Sequence, residues 1–305
     1  MAAVMSLLVV GSIAFDSIRT PRGEVDEILG GSATFFSVTA SWFTSVSVVA
    51  VVGDDFGEQQ FRIFRDRSID TRGVEQVPGR TFRWKGEYSG DMNQALTLDT
   101  QLNVFETFVP KIPAAYLDSQ FLFLGNIMPT LQLQVRRALP QLSATALDTM
   151  NFWIHGMPKE LASVLATVEI LLINEAEARM LSHQNSLKKA AEIIRKAGPR
   201  VVVIKRGEHG ATLFSPESVF TVPAFPLDDV YDPTGAGDTF AGGFMGHLAR
   251  TGDLADANLR RAAVYGSVMG SFAVEEFGLG RLLRLTADEI ESRYREIKRL
   301  THFDA

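Results

Sequence analysis

Short, mostly apolar runs separated by amphipathic stretches constrain this chain more than any other feature. The runs are residues 7–10, 46–52, 121–124, 145–148, 170–173, 201–204 and 211–214. A strand without polar alternation is buried on both faces, as in the interior of a parallel sheet. Helical patterns fall between the runs, at 34–43, 58–67, 131–138, 158–166, 175–182 and 186–197, with three more at 237–250, 256–274 and 287–300. This alternation predicts an α/β domain with a central, mostly parallel sheet and helices on both faces. At 305 residues the chain is long enough to bury such a core in one domain.

One segment breaks the alternation. Phe82, Trp84 and Tyr88 fall at period two, and beyond the polar turn 89–93 so do Leu96, Leu98, Leu102 and Val104. That spacing predicts a hairpin with one apolar face, too polar on the other to be a central strand. Segment 11–27 is expected to add a further strand or two. Residues 12–28 and 80–106 are therefore expected to form a small β-sheet lid off the main domain. Its apolar face would cover a substrate or pair with a second copy of the chain; an edge decoration of the main sheet is the plainer alternative.

The densest chemistry lies at Asp232-Pro233-Thr234-Gly235-Ala236-Gly237-Asp238, followed by a helical run. Gly235, Ala236 and Gly237 let the backbone turn tightly at the start of a helix. A helix start carries unpaired N–H groups and partial positive charge, which suit a phosphate. Asp238 stands where those donors converge and can take the proton of an attacking hydroxyl.

Four weaker sites accompany it. Gly30-Gly31 precedes a helix and allows either close ligand approach or a simple turn. Asp16 follows the first strand, where α/β folds bind ligands, though a turn residue would look the same. Asn174 and Glu177 follow the run ending at Ile173; they form a capping box and also offer a carboxylate for a cation. Lys205, Gly207 and Gly210 follow the run 201–204, as a hairpin or as a close-approach turn for a nucleotide. Asp54 or Asp55 is expected to cap the helix at 58–67.

The string from Asp232 to Phe244 resembles the signature of the PfkB (ribokinase-like) kinases of sugars and nucleosides. The remaining sites occur in that family's order, from Gly11 to about Gly278. The resemblance implies a three-layer ribokinase-like fold with a β-sheet lid and an ATP- and Mg²⁺-dependent phosphotransferase acting on an alcohol group. It gives Gly235, Ala236, Gly237 and Asp238 to catalysis, and Asp16, Gly30, Gly31 and Gly53 to the substrate. Asn174, Lys205, Gly207, Gly210 and Ser267 go to the nucleotide and Glu177 to Mg²⁺. Asp232 is expected near a monovalent cation such as K⁺ or as a loop-shaping residue. The chain departs from the family at Phe35, where an Asn usually contacts substrate hydroxyls. Phe35 then faces a flat substrate group or belongs to the core. The implied acceptor is a small sugar or sugar-like molecule; a nucleoside kinase and a non-catalytic ligand-binding relative are the alternatives. A homodimer through the lid is expected by the same resemblance.

Composition narrows the rest. The formal net charge of −6 argues against non-specific nucleic-acid binding. With no cysteine, disulfides, thiolate metal sites and cysteine nucleophiles are excluded. The start of the chain has no basic leader and reads as a strand, and no run approaches the ~20 apolar residues of a membrane span. A cytoplasmic location is expected. No G-x-x-x-x-G-K-[ST], H-E-x-x-H or G-x-G-x-x-G on the first strand occurs, which weighs against P-loop, zincin and dinucleotide chemistry.

Overall fold

The apolar runs become the spine of a nine-stranded sheet. The computed structural model describes residues 5–90 and 92–302; Met1–Val4 of the expected first strand and Asp91 of the lid turn lie outside them. In chain order the elements are β1 (Leu7–Val10), β2 (Ala14–Thr20), β3 (Gly23–Gly30), α1 (Ser32–Ala40), β4 (Val46–Val52), α2 (Glu58–Asp66), β5 (Asp70–Gln76), β6 (Phe82–Tyr88) and β7 (Ala95–Gln101). Then follow β8 (Phe121–Leu124), α3 (Pro129–Ala138), β9 (Ala144–Asp148), α4 (Asn151–Gly156), α5 (Pro158–Leu165), β10 (Ile170–Asn174), α6 (Glu175–Ser182) and α7 (Leu187–Lys196). The chain closes with β11 (Val201–Lys205), β12 (Ala211–Phe214), β13 (Val219–Val222), α8 (Ala236–Thr251), α9 (Asp256–Ala273), α10 (Gly280–Leu283) and α11 (Ala287–Thr301).

The large sheet runs β13-β12-β11-β10-β9-β8-β1-β4-β5. β5 to β11 pair in parallel across it, while β12 and β13 are antiparallel. The reason is visible in β1: Leu7 and Val9 enter one core and Leu8 and Val10 the other. The first core is filled by Phe35 and Phe36 of α1 with Phe240 and Phe244 of α8, the second by Val135 of α3, Leu161 of α5 and Ile194 of α7. Burying each such side chain contributes roughly 1.5–3 kcal/mol. Among the described residues no helix is long and apolar enough to cross a membrane.

A second sheet, β3-β2-β6-β7, stands apart from the first. The hairpin forms, but its side chains are not sorted as the alternation suggests. Tyr88 pairs with Ala95 and Glu87 with Leu96, so Leu96 shares a face with Glu87 and lies opposite Tyr88. A register shift at Lys85/Gly86 then disturbs the alternation. Val104 belongs to a short 3₁₀ turn beyond the strand. Trp84 and Tyr88 thus occupy one face, and Leu96 does not join them.

Candidate active site

Asp148, Asn174 and Lys205 are the last residues of β9, β10 and β11. They stand at the carboxyl edge of the sheet, where open α/β folds hold ligands. The Lys205 ammonium lies 3.4 Å from Asp148 Oδ1. Burial alone would lower the lysine's pKa; Asp148, Glu177 and Asp238 more than offset it, and the group stays charged.

The first turn of α8 sits against this lysine. Gly235, the residue before the helix, has φ +72°, and a Cβ there would lie 2.3 Å from the Phe35 ring. Glycine is required on both counts. A Cβ at Gly237 would lie 2.9 Å from Lys205 Nζ, so its absence lets the ammonium reach the helix start. Of the turn's amides, Ala236 donates to Pro233 O at 3.2 Å. Those of Gly235, Gly237 and Asp238 have no protein partner among the described residues. They are the orphan donors of a helix start.

Asp238 lies among them. Its Oδ1 is shielded from solvent and has no hydrogen-bond partner. Burial pushes its pKa up to about 7, with repulsion from Asp148 adding and Lys205 opposing. Glu177 is also raised to about 7, by burial and then by Asp148. Its Oε2 accepts the Asn174 amide at 2.8 Å while Asn174 Oδ1 accepts the Glu177 amide at 2.8 Å. The capping box therefore exists, and it holds Glu177 within the field of Asp148 and Lys205.

The small sheet borders the other side. Thr234 Oγ1 donates to Tyr88 Oη at 3.2 Å, tying β6 to the loop before α8. Asp16 pairs with Trp84 across β2 and β6, is buried, and has its pKa raised to about 7 by burial first.

A family model described as pfkB family carbohydrate kinase matches residues 5–284. The chain belongs to the PfkB family. A cytidine kinase from Thermococcus kodakarensis is 29% identical over 81% of this chain and 90% of its own length. An inositol 3-kinase from Arabidopsis thaliana is 25% identical over 95% of this chain and 81% of its own. The crystal structure of aminoimidazole riboside kinase from Salmonella enterica, complexed with aminoimidazole riboside and an ATP analog, superposes with a TM-score of 0.75 at 20% identity, covering 95% of this chain and 99% of that one.

Within this PfkB kinase some expected residues fall where the sequence puts them and others do not. Asp16 is not in a turn after β1; it lies inside β2, where a Cβ on Gly30 would meet its Oδ2 at 1.9 Å. Gly31, with φ +93°, is the residue before α1. Phe35 is 1% exposed and belongs to the core beneath Gly235. Gly53 is packed against the segment that leads into β6: its amide donates to Thr81 Oγ1 at 3.0 Å, and a Cβ would lie 2.2 Å from Gly79 O. Neither Asp54 nor Asp55 caps α2, whose cap is Gly57. Asp54 accepts from the Gly79 amide and Asp55 from Thr81 and Arg83, so both fasten the segment before β6.

Asp232 is fully buried and spends one oxygen on the Thr234 amide at 2.8 Å and the other on the Gly278 amide at 3.0 Å. Gly207 and Gly210 form the β11–β12 turn, closed by Arg206 N–H to Gly210 O at 2.7 Å, with Asn93 of the lid turn pressed on Gly207. Ser267 donates its hydroxyl to Pro223 O at 2.8 Å. Asp148 is the site residue that reading the sequence overlooked. Its signal was available, since a carboxylate ending an apolar run at the sheet's carboxyl edge follows the logic applied to Asp16.

Proposed function

We propose that this PfkB kinase transfers the γ-phosphoryl group of ATP to an alcohol of a small sugar or sugar-like molecule. The observation that carries the reading is the unpartnered Oδ1 of Asp238, set beside free amides at the start of α8. An acceptor hydroxyl bound there gives its proton to Asp238. The amides of Gly235, Gly237 and Asp238, with the Lys205 ammonium, stabilise the charge on the moving phosphoryl group. The lid residues Tyr88 and Trp84 exclude water from the cleft. Asn174, Gly207 and Gly210 border the nucleotide, with Ser267 shaping the cleft through Pro223.

Mg²⁺ suits the donor set. Glu177 is a half-buried carboxylate with no cation in salt-bridge distance among the described residues, and one oxygen remains beyond the Asn174 bond. Among the described residues no three carboxylates or imidazoles are grouped to hold a metal. The ion would therefore rest on Glu177, water and phosphate oxygens, as is usual for Mg²⁺ at a nucleotide. It would screen the charge of the phosphates. Asp232 serves as the brace of the loop; a monovalent cation such as K⁺ would have to share its carboxylate with two amides. The cytoplasm, where ATP is abundant, is the proposed location.

A nucleoside acceptor is the second reading. The likeness to a cytidine kinase and the Trp84 indole on the inner lid face favour it. An ADP-release assay over inositols, pentoses, hexoses, cytidine and adenosine tests both readings. Turnover with none of them, although the ATP analogue binds, would favour a ligand-binding relative.

The rate should depend on pH with one sign. Asp238 works as the carboxylate, and its folded-state pKa is about 7. We expect kcat/KM to fall as pH drops below about 7, by about tenfold per unit. A profile flat from about pH 5 to 8 would contradict Asp238 as the base.

We also place a homodimer contact on β7. This edge strand is exposed along its whole length, with Leu96 64% and Leu98 45% exposed. Substituting both leucines by Lys should convert a dimer to a monomer in sedimentation. A native protein that sediments as a monomer speaks against this contact.

A further inference from the structure

Lys205 faces three carboxylates from three elements: Asp148 on β9, Glu177 on α6 and Asp238 on α8. Only Asp148 lies within salt-bridge distance among the described residues, at 3.4 Å. Asp238 Oδ1 meanwhile has no partner. A lysine arm is long and rotates freely, so its choice of partner must be imposed. An ammonium resting on Asp238 would occupy the lone pair that the acceptor proton needs and would weaken the base.

Resting on the phosphotransferase reading above, we propose that Asp148 is a positioning residue that holds the Lys205 ammonium against the first turn of α8 and away from Asp238. One ion pair then does two things. It keeps a positive charge where a Gly237 side chain would otherwise sit, facing an incoming phosphate. It also leaves the general base free. The charged groups facing Asp238 are Asp148, Lys205, Asp16 and Glu177. Removing Asp148 acts on the base twice in the same sense. A repelling charge is lost and the ammonium is released toward Asp238, and both lower its proton affinity. Removing Lys205 acts in the opposite sense.

The test compares Asp148→Asn and Lys205→Gln with the native enzyme. It uses kcat–pH profiles together with calorimetric affinity for a non-hydrolysable ATP analogue and Mg²⁺. Asp148→Asn should lose at least about tenfold in kcat, with its acid limb moved to lower pH and analogue affinity lowered by about three- to tenfold as the ammonium leaves the phosphate. Lys205→Gln should move the acid limb to higher pH. An unmoved limb in Asp148→Asn, or in that variant a kcat within about twofold of native or an affinity loss well beyond about tenfold, overturns the proposal. Should Asp148→Asn fail to fold, the limb of Lys205→Gln decides alone. Asp238→Asn is assayed alongside. If it keeps activity, the phosphotransferase reading of the site fails. If it is inactive while Asp148→Asn is normal, only the positioning role fails.

Discussion

Asp238→Asn should lower kcat by roughly 10²–10⁴ while leaving the fold intact, because the variant keeps the shape of the side chain and loses its basicity. The stability change should have the opposite sign from the activity change. In the folded protein the Asp238 pKa is raised from 3.8 to about 7, chiefly by burial. The folded state therefore binds this proton more tightly than the unfolded chain does. That contributes stability which is fully present below about pH 4 and is lost as pH rises through about 7. Asparagine carries no charge at any of these values. The melting temperature of Asp238→Asn should exceed that of the native protein at about pH 8, and the difference should be less than half as large at about pH 5, vanishing only below about pH 4. Melting curves at the two pH values and a steady-state assay measure both halves. A variant that turns over normally, or that melts lower at high pH, is inconsistent with a buried base held at a cost to stability.

Phe35→Asn should destabilise the protein by about 3–5 kcal/mol, measured by urea unfolding. This change restores the residue type expected at the position from the family resemblance, yet the structure gives it nothing to bind. Phe35 is 1% exposed, in the core shared by α1 and α8, and its ring fills the space beneath Gly235. Removing the ring leaves a cavity under the turn that supports the orphan amides, and it buries a new amide without a partner. Catalysis should fall with stability because Gly235 loses its support. Unchanged stability with new turnover on a pentose or hexose would show that the position faces the acceptor.

What was legible in the sequence follows from which forces act locally. The interior strands announced themselves because burial on both faces leaves no polar residue in a run such as Ile170–Ile173. β5 did not. Its sequence, Asp70 to Gln76, carries one large aliphatic side chain, Val74, and it is a strand because β4 offers an edge to pair with. The small sheet was legible as a hairpin. Its faces were not, because the register shift at Lys85/Gly86 depends on pairing geometry rather than composition. The turn at 235–238 was readable since glycine and a following acid are local requirements. Asp54 and Asp55 were misread as caps because their partners, Gly79, Thr81 and Arg83, lie a strand away. Asp148 went unremarked for the same reason, its lysine lying 57 positions along the chain.

The central claim is that free amides at the start of α8 hold the moving phosphoryl group beside a carboxylate that takes the acceptor's proton. A crystal structure with Mg²⁺, a non-hydrolysable ATP analogue and the acceptor found in the ADP-release assay tests it most directly. The account predicts γ-phosphate oxygens on the amides of Gly237 and Asp238, and the acceptor hydroxyl about 2.6–3.2 Å from Asp238 Oδ1. Phosphates bound away from α8, or an acceptor hydroxyl out of reach of Asp238, would contradict it.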